Sequence, residues 1–195
     1  MPAFLLLVVV FFSSVFSVVD EASLKIIEQF LSSMNTLEAD MTMDICSGEK
    51  NSVSEYFEGK IWLDRHHGFL RINYGKNVMI AREGMLFIDQ ENQEVQKIET
   101  ENTPAGILLK PTINFKEEKF IVKSLTKRND LWQLFLFYDS PIGQIPVTLY
   151  FKPLPVMILL GWTIQNPDGS VTNVHLNPEK THMAIDIDAS IFQMK

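Results

Sequence analysis

Four histidines, one cysteine and a corner arginine are the residues of this chain with the most scope for chemistry. His66 and His67 are adjacent, so on a strand they point to opposite faces and would not share one metal ion. Neither has a Cys, Asp or Glu at the usual ligand spacing, and no metal site is expected. Cys46 ends an alternating segment with no histidine near it to activate a thiolate; it reads as a small buried apolar residue. No serine lies in a nucleophile-elbow motif, and no glycine-rich loop is present to cradle phosphate. The Glu117-Glu118 pair lies in a polar loop and reads as solvated. The chain is therefore read as no enzyme, with no cofactor. Arg65 is different. It stands at the corner of Gly59 to Tyr74 (GKIWLDRHHGFLRINY), an always-charged fork of donors beside apolar strand residues. It is either a surface arginine capping a hairpin or a gate.

The elements that must position it follow from periodicity. Ser23 to Asn35 predicts an amphipathic helix, because Leu24, Ile27, Leu31 and Met34 share one face. Thr36 to Cys46 alternates strictly, with Leu37, Ala39, Met41, Met43 and Ile45 on one side, as in a half-buried antiparallel strand. Val53 to Asp64 and Phe69 to Tyr74 are strands joined at His66-His67-Gly68. Val78 to Arg82 and Met85 to Asp89 flank the hairpin signal Glu83-Gly84. Gln93 to Thr100 is a further strand. Thr103 is then a candidate N-cap and Pro104 a first helical residue for a short apolar helix that Pro111 ends. Phe115 follows in a polar stretch and looks exposed. Phe120 to Thr126, Leu131 to Tyr138, Gln144 to Lys152, Val156 to Gln165 and Ser170 to Leu176 complete the strands. Val156 to Gln165 is apolar enough to suggest cover on both faces. The tail is expected to pack Ile191 and Phe192 back onto the body.

The fold class is therefore mainly β with few helices (α+β). It is an open antiparallel half-barrel of about 11 strands, lidded by short helices around an apolar cavity. Nine Met, fourteen Phe and three Trp supply a tolerant apolar lining suited to an acyl chain. A net charge of −7 and a pI near 5.1 argue against a nucleic-acid partner. The apolar run Phe4 to Phe12, followed by small residues, reads as a signal peptide over residues 1–19, although Met1-Pro2-Ala3 lacks a basic start. Residues 20–195 are then one exported domain. One cysteine leaves no internal disulfide, and none near the cleavage region offers a lipid anchor.

Several segments in order resemble the periplasmic outer-membrane lipoprotein carrier (LolA) family. They are Leu37 to Thr42, Gly59 to Arg65 running into Phe69 to Tyr74, Ala81 to Asp89, Gln93 to Gln96, and Asn102 to Ala105 with Leu108-Leu109. The resemblance covers most of the chain after the signal. It implies a cavity that holds lipoprotein acyl chains, loaded from an inner-membrane ABC exporter and emptied to an outer-membrane acceptor, in the periplasm and by a monomer. It implies that Arg65 is a latch bonding to lid backbone, and that Ala105, Ile107, Leu108 and Leu109 form the lid helix. The expected cavity residues are Leu37, Met41, Met43, Ile61, Leu63 and Phe69. Three features depart from the family pattern: His66 replaces proline after the arginine, Glu83 replaces aspartate, and the signal lacks basic residues. A periplasmic lipoprotein sensor or regulator on the same half-barrel is the alternative.

Overall fold

A computed structural model describes residues 19–47, 53–89, 96–117, 119–141, 143–153 and 155–193. The expected signal segment, apart from Val19, lies outside them, as do residues 48–52 and the first residues of the expected Gln93 to Thr100 strand. The chain runs α1 (Glu21–Ser33), β1 (Thr36–Cys46), β2 (Val53–Asp64), β3 (Phe69–Tyr74), β4 (Asn77–Arg82), β5 (Met85–Asp89) and β6 (Gln96–Glu99). It continues through α2 (Ala105–Leu109), β7 (Phe120–Arg128), β8 (Leu131–Ser140), β9 (Gly143–Lys152), β10 (Ile158–Gln165) and β11 (Val171–Met183).

All eleven strands form one antiparallel sheet in the order β6-β5-β4-β3-β2-β1-β11-β10-β9-β8-β7. Two meanders, β1 to β6 and β7 to β11, join where β1 pairs with β11. The sheet stays open, so β6 and β7 are its two edges. The segment from Thr100 to Lys119 has to link one edge to the other, and α2 lies in it. Topology alone thus places this short apolar helix between the lips of the half-barrel.

The inner face carries the core. On β1, Leu37, Ala39, Met41 and Met43 alternate with Glu38, Asp40, Thr42 and Asp44 outside. Helix α1 lays Leu24, Ile27, Leu31 and Met34 into the same core, with Phe30 edge-on to Phe151 of β9 at 6.1 Å. Asp20 caps its N-terminus by accepting from the Ala22 and Ser23 amides. Its carboxylate also holds Lys127 of β7 at 2.6 Å, tying helix to sheet edge. The segment after α2 is fixed to α1: the Ile113 amide donates to Ser32 Oγ at 3.0 Å and the Phe115 amide to Glu28 Oε1 at 2.7 Å. Phe115, expected to be exposed, is buried and packs edge-on against Phe120. Its polar neighbours mark a loop, but that loop is fastened down.

Irregularities in the ladder explain other departures. Along β10 the register skips Leu160, pairing Leu159 with Phe151 and Gly161 with Tyr150. This bulge turns both Leu159 and Trp162 inward although they are three residues apart. The strand is therefore buried on the inner side only, not on both faces. Strand β11 runs well beyond the expected Leu176, because its register jumps from Leu176 to Thr181 and residues 177–180 loop out of the ladder. Cys46 falls in step with the polar set of β1, not the apolar one. Its Sγ faces Asp44 Oδ2 at 3.4 Å, and desolvation with that carboxylate pushes the thiol pKa up. The C-terminal tail folds as a 3-10 turn, Ala189–Phe192, over β3. Arg71 Nη1 donates to the carbonyls of Ile191 at 2.7 Å and Gln193 at 3.0 Å. Phe192 is buried against Phe69, their centroids 5.3 Å apart. Ile80, outward-facing by register beside Arg71, is buried too. A second, small apolar cluster thus sits on the outer face.

Two stability measurements follow. Gly161 has φ +142°, and a Cβ there would lie 1.9 Å from the Val174 carbonyl oxygen. Gly161→Ala is expected to destabilise the fold by at least ~2 kcal/mol in urea unfolding, because both dihedral and ladder must distort. Asp20 has its pKa lowered from 3.8 to about 2, chiefly by its hydrogen bond to Lys127 and then by that to Ser23. A depressed folded-state pKa stabilises above the unfolded value and is lost as pH falls through the folded one. The stability difference between wild type and Asp20→Asn should be constant above roughly pH 5 and shrink as pH falls toward 2.

Candidate functional site

The site is built around the corner that follows β2. Asp64 ends that strand, Gly68 takes φ +69°, and β3 returns from Phe69. The Arg65 amide donates to Asn35 O at 2.8 Å, which seats the corner against the loop between α1 and β1. The Arg65 side chain then turns inward and is only 4% exposed, so it is no surface arginine. Its Nε donates to Leu108 O at 2.5 Å, and its Nη1 donates to Leu31 O. Leu31 lies in the last turn of α1 and Leu108 in the last turn of α2. Both carbonyls are among those a helix leaves without an internal partner, at the negative end of its dipole. One guanidinium therefore caps two helix C-termini at once. Burial lowers its pKa to about 10, so it remains a cation at neutral pH.

No carboxylate pairs with it among the described residues. Asp64, its immediate neighbour, is engaged by His67: the amide donates to Oδ1 at 3.2 Å and ring Nδ1 lies 2.7 Å from Oδ2. That contact, three residues apart in the turn, was not anticipated from spacing. His67 also stacks on Phe69, and His66 meets His67 edge to face at 4.9 Å. No group of three or more potential metal ligands occurs among the described residues.

Beneath α2 lies an apolar cavity of about 160 Å³. Its roof is Thr103, Pro104, Ala105, Ile107 and Leu108. Met41 and Met43 of β1 line it, with Leu70, Ile72 and Tyr74 of β3. Val147 and Leu149 of β9, and Trp162 and Ile164 of β10, form the far wall. No charged side chain of the described residues reaches it. Burial and the charge of Glu55 push the Tyr74 phenol pKa up, so it stays neutral. The volume falls below the roughly 300–1,000 Å³ of sites that enclose small ligands. An apolar void of about 150 Å³ can also stay dry.

The residues expected to line the cavity divide. Met41 and Met43 do so. Leu37, Ile61 and Leu63 are fully buried in the packed core but are not part of the lining. They lie at the end of β1 and β2 that α1 and the Arg65 corner close, where the helix fills the space. Phe69 is on the outer face, stacked on His67 and packed at a tilt against Phe192. Of the lid residues, Ala105, Ile107 and Leu108 face the cavity, whereas Leu109 packs against the core without lining it. Thr103 does not cap α2; its hydroxyl donates to Thr100 O at 3.0 Å, and Pro104 takes the cap position. The lid hangs between two anchors. Before it, Thr100 binds Gly84 O through both amide (2.9 Å) and hydroxyl (3.0 Å). After it, Lys110 pairs with Glu117 and Ile113 is held by α1. Leu70, Tyr74, Trp162 and the β9 residues were missed as lining because no local pattern says which inward residues a helix will cover.

A second depression, of about 430 Å³, lies on the outer face where residues 177–180 leave the ladder. It is polar and open, with Asp40 paired to Lys180 at 2.9 Å.

No family model matches the chain, and no curated protein does. Among solved structures it is similar to a DUF1329 family protein from Desulfovibrio piger, at TM-score 0.48 and 8% identity, covering 88% of this chain and 95% of that one. It is also similar to the Mycobacterium tuberculosis lipoprotein LppX, at TM-score 0.38 and 8% identity, covering 81% of this chain and 94% of that one. No helix of the described residues is long and apolar enough to cross a membrane.

Arg65→Leu separates lid closure from fold stability. The change removes two bonds to helix carbonyls but also removes a buried, uncompensated cation, so global stability should move by less than ~2 kcal/mol. The lid amides Ile107 and Lys110, which donate to Pro104 O and Gly106 O, should lose hydrogen-exchange protection while β1 keeps its own. Equal loss in both places would show that Arg65 supports the whole fold and not the lid.

Proposed function

We propose that this protein is a carrier of lipoprotein acyl chains. It would work in the periplasm after removal of residues 1–19, as a monomer and with no covalent step. It takes a lipoprotein from an inner-membrane ABC exporter and releases it to an outer-membrane acceptor. The observation that carries this reading is the buried Arg65, bonded to both helix ends above an apolar cavity. The resemblance in segment order to the lipoprotein carrier family supports it as well.

The energetics suit a reversible carrier. Loading requires α2 to leave Arg65, which breaks at least one charge-assisted bond, costing roughly 1.5–3 kcal/mol. Each methylene buried returns about 0.8 kcal/mol. About two to four methylenes therefore offset the latch, and a full acyl chain leaves a surplus. On release the latch re-forms and recovers its share. An acceptor with a similar apolar site and no latch to break then draws the chain downhill. Without the latch, loading proceeds but release loses this contribution.

The test is co-purification followed by transfer. The mature protein isolated from a periplasmic extract should carry acylated polypeptide. Arg65→Leu should load at least as well as wild type and deliver several-fold less to outer membranes. Wild type free of acylated protein, with no acyl probe competing for the cavity, would remove the carrier reading; equal delivery by both would remove the latch.

A further inference from the structure

The cavity and its latch differ in one respect that hand-over alone does not use. Arg65 Nη2 is buried and has no hydrogen-bond partner among the described residues. The side chain around it is 4% exposed, and its other two nitrogens reach only neutral carbonyls. A buried cation held by dipoles alone is under-compensated. The cavity under α2 has the opposite character, with no charged lining among the described residues. Leu108 joins the two, since its side chain lines the cavity and its carbonyl occupies Arg65 Nε. On the strand side, Leu70 lines the cavity and pairs with Leu63, next to the Asp64-Arg65 corner. If α2 lifts, Nε loses its acceptor, and two guanidinium nitrogens stand open at the cavity end. Asp64 does not fill that role, because His67 holds both its oxygens.

We propose that Arg65 is the head-group site of this cavity. With α2 displaced, Nε and Nη2 together take the oxyanion of an acyl-chain amphiphile, either a fatty carboxylate or a lipid phosphate. The guanidinium fork matches two oxygens of one such group. Leu108 O is then the stand-in that fills part of this site when it is empty. The inference rests on the reading of the cavity as an acyl site, and it adds that anionic amphiphiles are preferred over neutral ones of equal chain length.

The experiment measures binding of laurate, dodecyl phosphate and dodecanol to the full mature chain, by displacement of a fluorescent apolar probe near pH 8, where the carboxylate is ionised. Wild type should bind at least one of the anionic ligands about tenfold or more tighter than dodecanol. The tighter anion identifies the source of the head group. In Arg65→Gln the preference should fall to about one while dodecanol still binds, which shows that the cavity persists. Arg65→Lys keeps a charge but not the fork, so its preference should fall several-fold; it carries the test if the glutamine variant does not fold. Equal binding of all three ligands by wild type overturns the head-group site and leaves the acyl cavity standing. So does a preference that survives unchanged in the variants. Failure of all three to bind wild type overturns the cavity reading and this inference with it.

Discussion

A single buried guanidinium ties the two helices of this molecule to the corner of its sheet. Arg65 sits where a strand corner, the end of α1 and the end of α2 converge, and it gives each helix the capping that its own sequence lacks. Neither helix has a basic residue in its last turn. A five-residue helix has almost no stability alone, so α2 depends on Arg65 and on the cavity edge it covers. An arginine suits this place because its charge survives burial and its donors diverge toward two acceptors. The cost is desolvation without a counter-ion.

The sheet supplies the other half of the arrangement. Its ends are an edge strand on each side, linked by one segment, so the lid is a topological necessity before it is a functional device. Helix α1 fills one end of the inner face with Leu24, Ile27 and Leu31. The other end, under α2, is lined by Met41, Met43 and Trp162 and stays incompletely filled. Cavity and core are the same face of the same strands, divided only by how far the helix reaches.

Much of this was legible in the sequence, for physical reasons. Strict alternation in β1 and the 3.6-residue stripe of α1 are local signals; β1 spans the expected residues, and α1 starts and ends two residues earlier than the stripe suggested. The Pro104 to Pro111 boundaries mark α2 as a short helix. What failed was non-local. Phe69 carries the same hydrophobicity as Leu70, and only the tail arriving more than a hundred residues later makes its outward position tolerable. Leu37, Ile61 and Leu63 are inward, as alternation demands, but whether an inward residue faces a helix or a void is a tertiary fact. The β10 bulge turned an inward-outward pattern into a continuous apolar run. Arg65 could be read as surface or gate, and its burial and two acceptors decide against the surface.

The pairing of β1 with β11 has a consequence for how the chain reaches this state. Each meander forms from neighbouring hairpins, with short loops to close. The seam joins segments such as Asp44 and Asn173, separated by 129 positions, so it pays the largest loop entropy and forms slowly. Until then the first meander exposes an unpaired β1 edge with apolar residues along one side, the condition that favours wrong pairing between chains. A chain made from its N-terminus has that edge waiting for its last long strand. Successful assembly is thus a race between completion of the C-terminal meander and encounter with another copy, and crowding of unfinished chains is the circumstance in which this fold is most vulnerable.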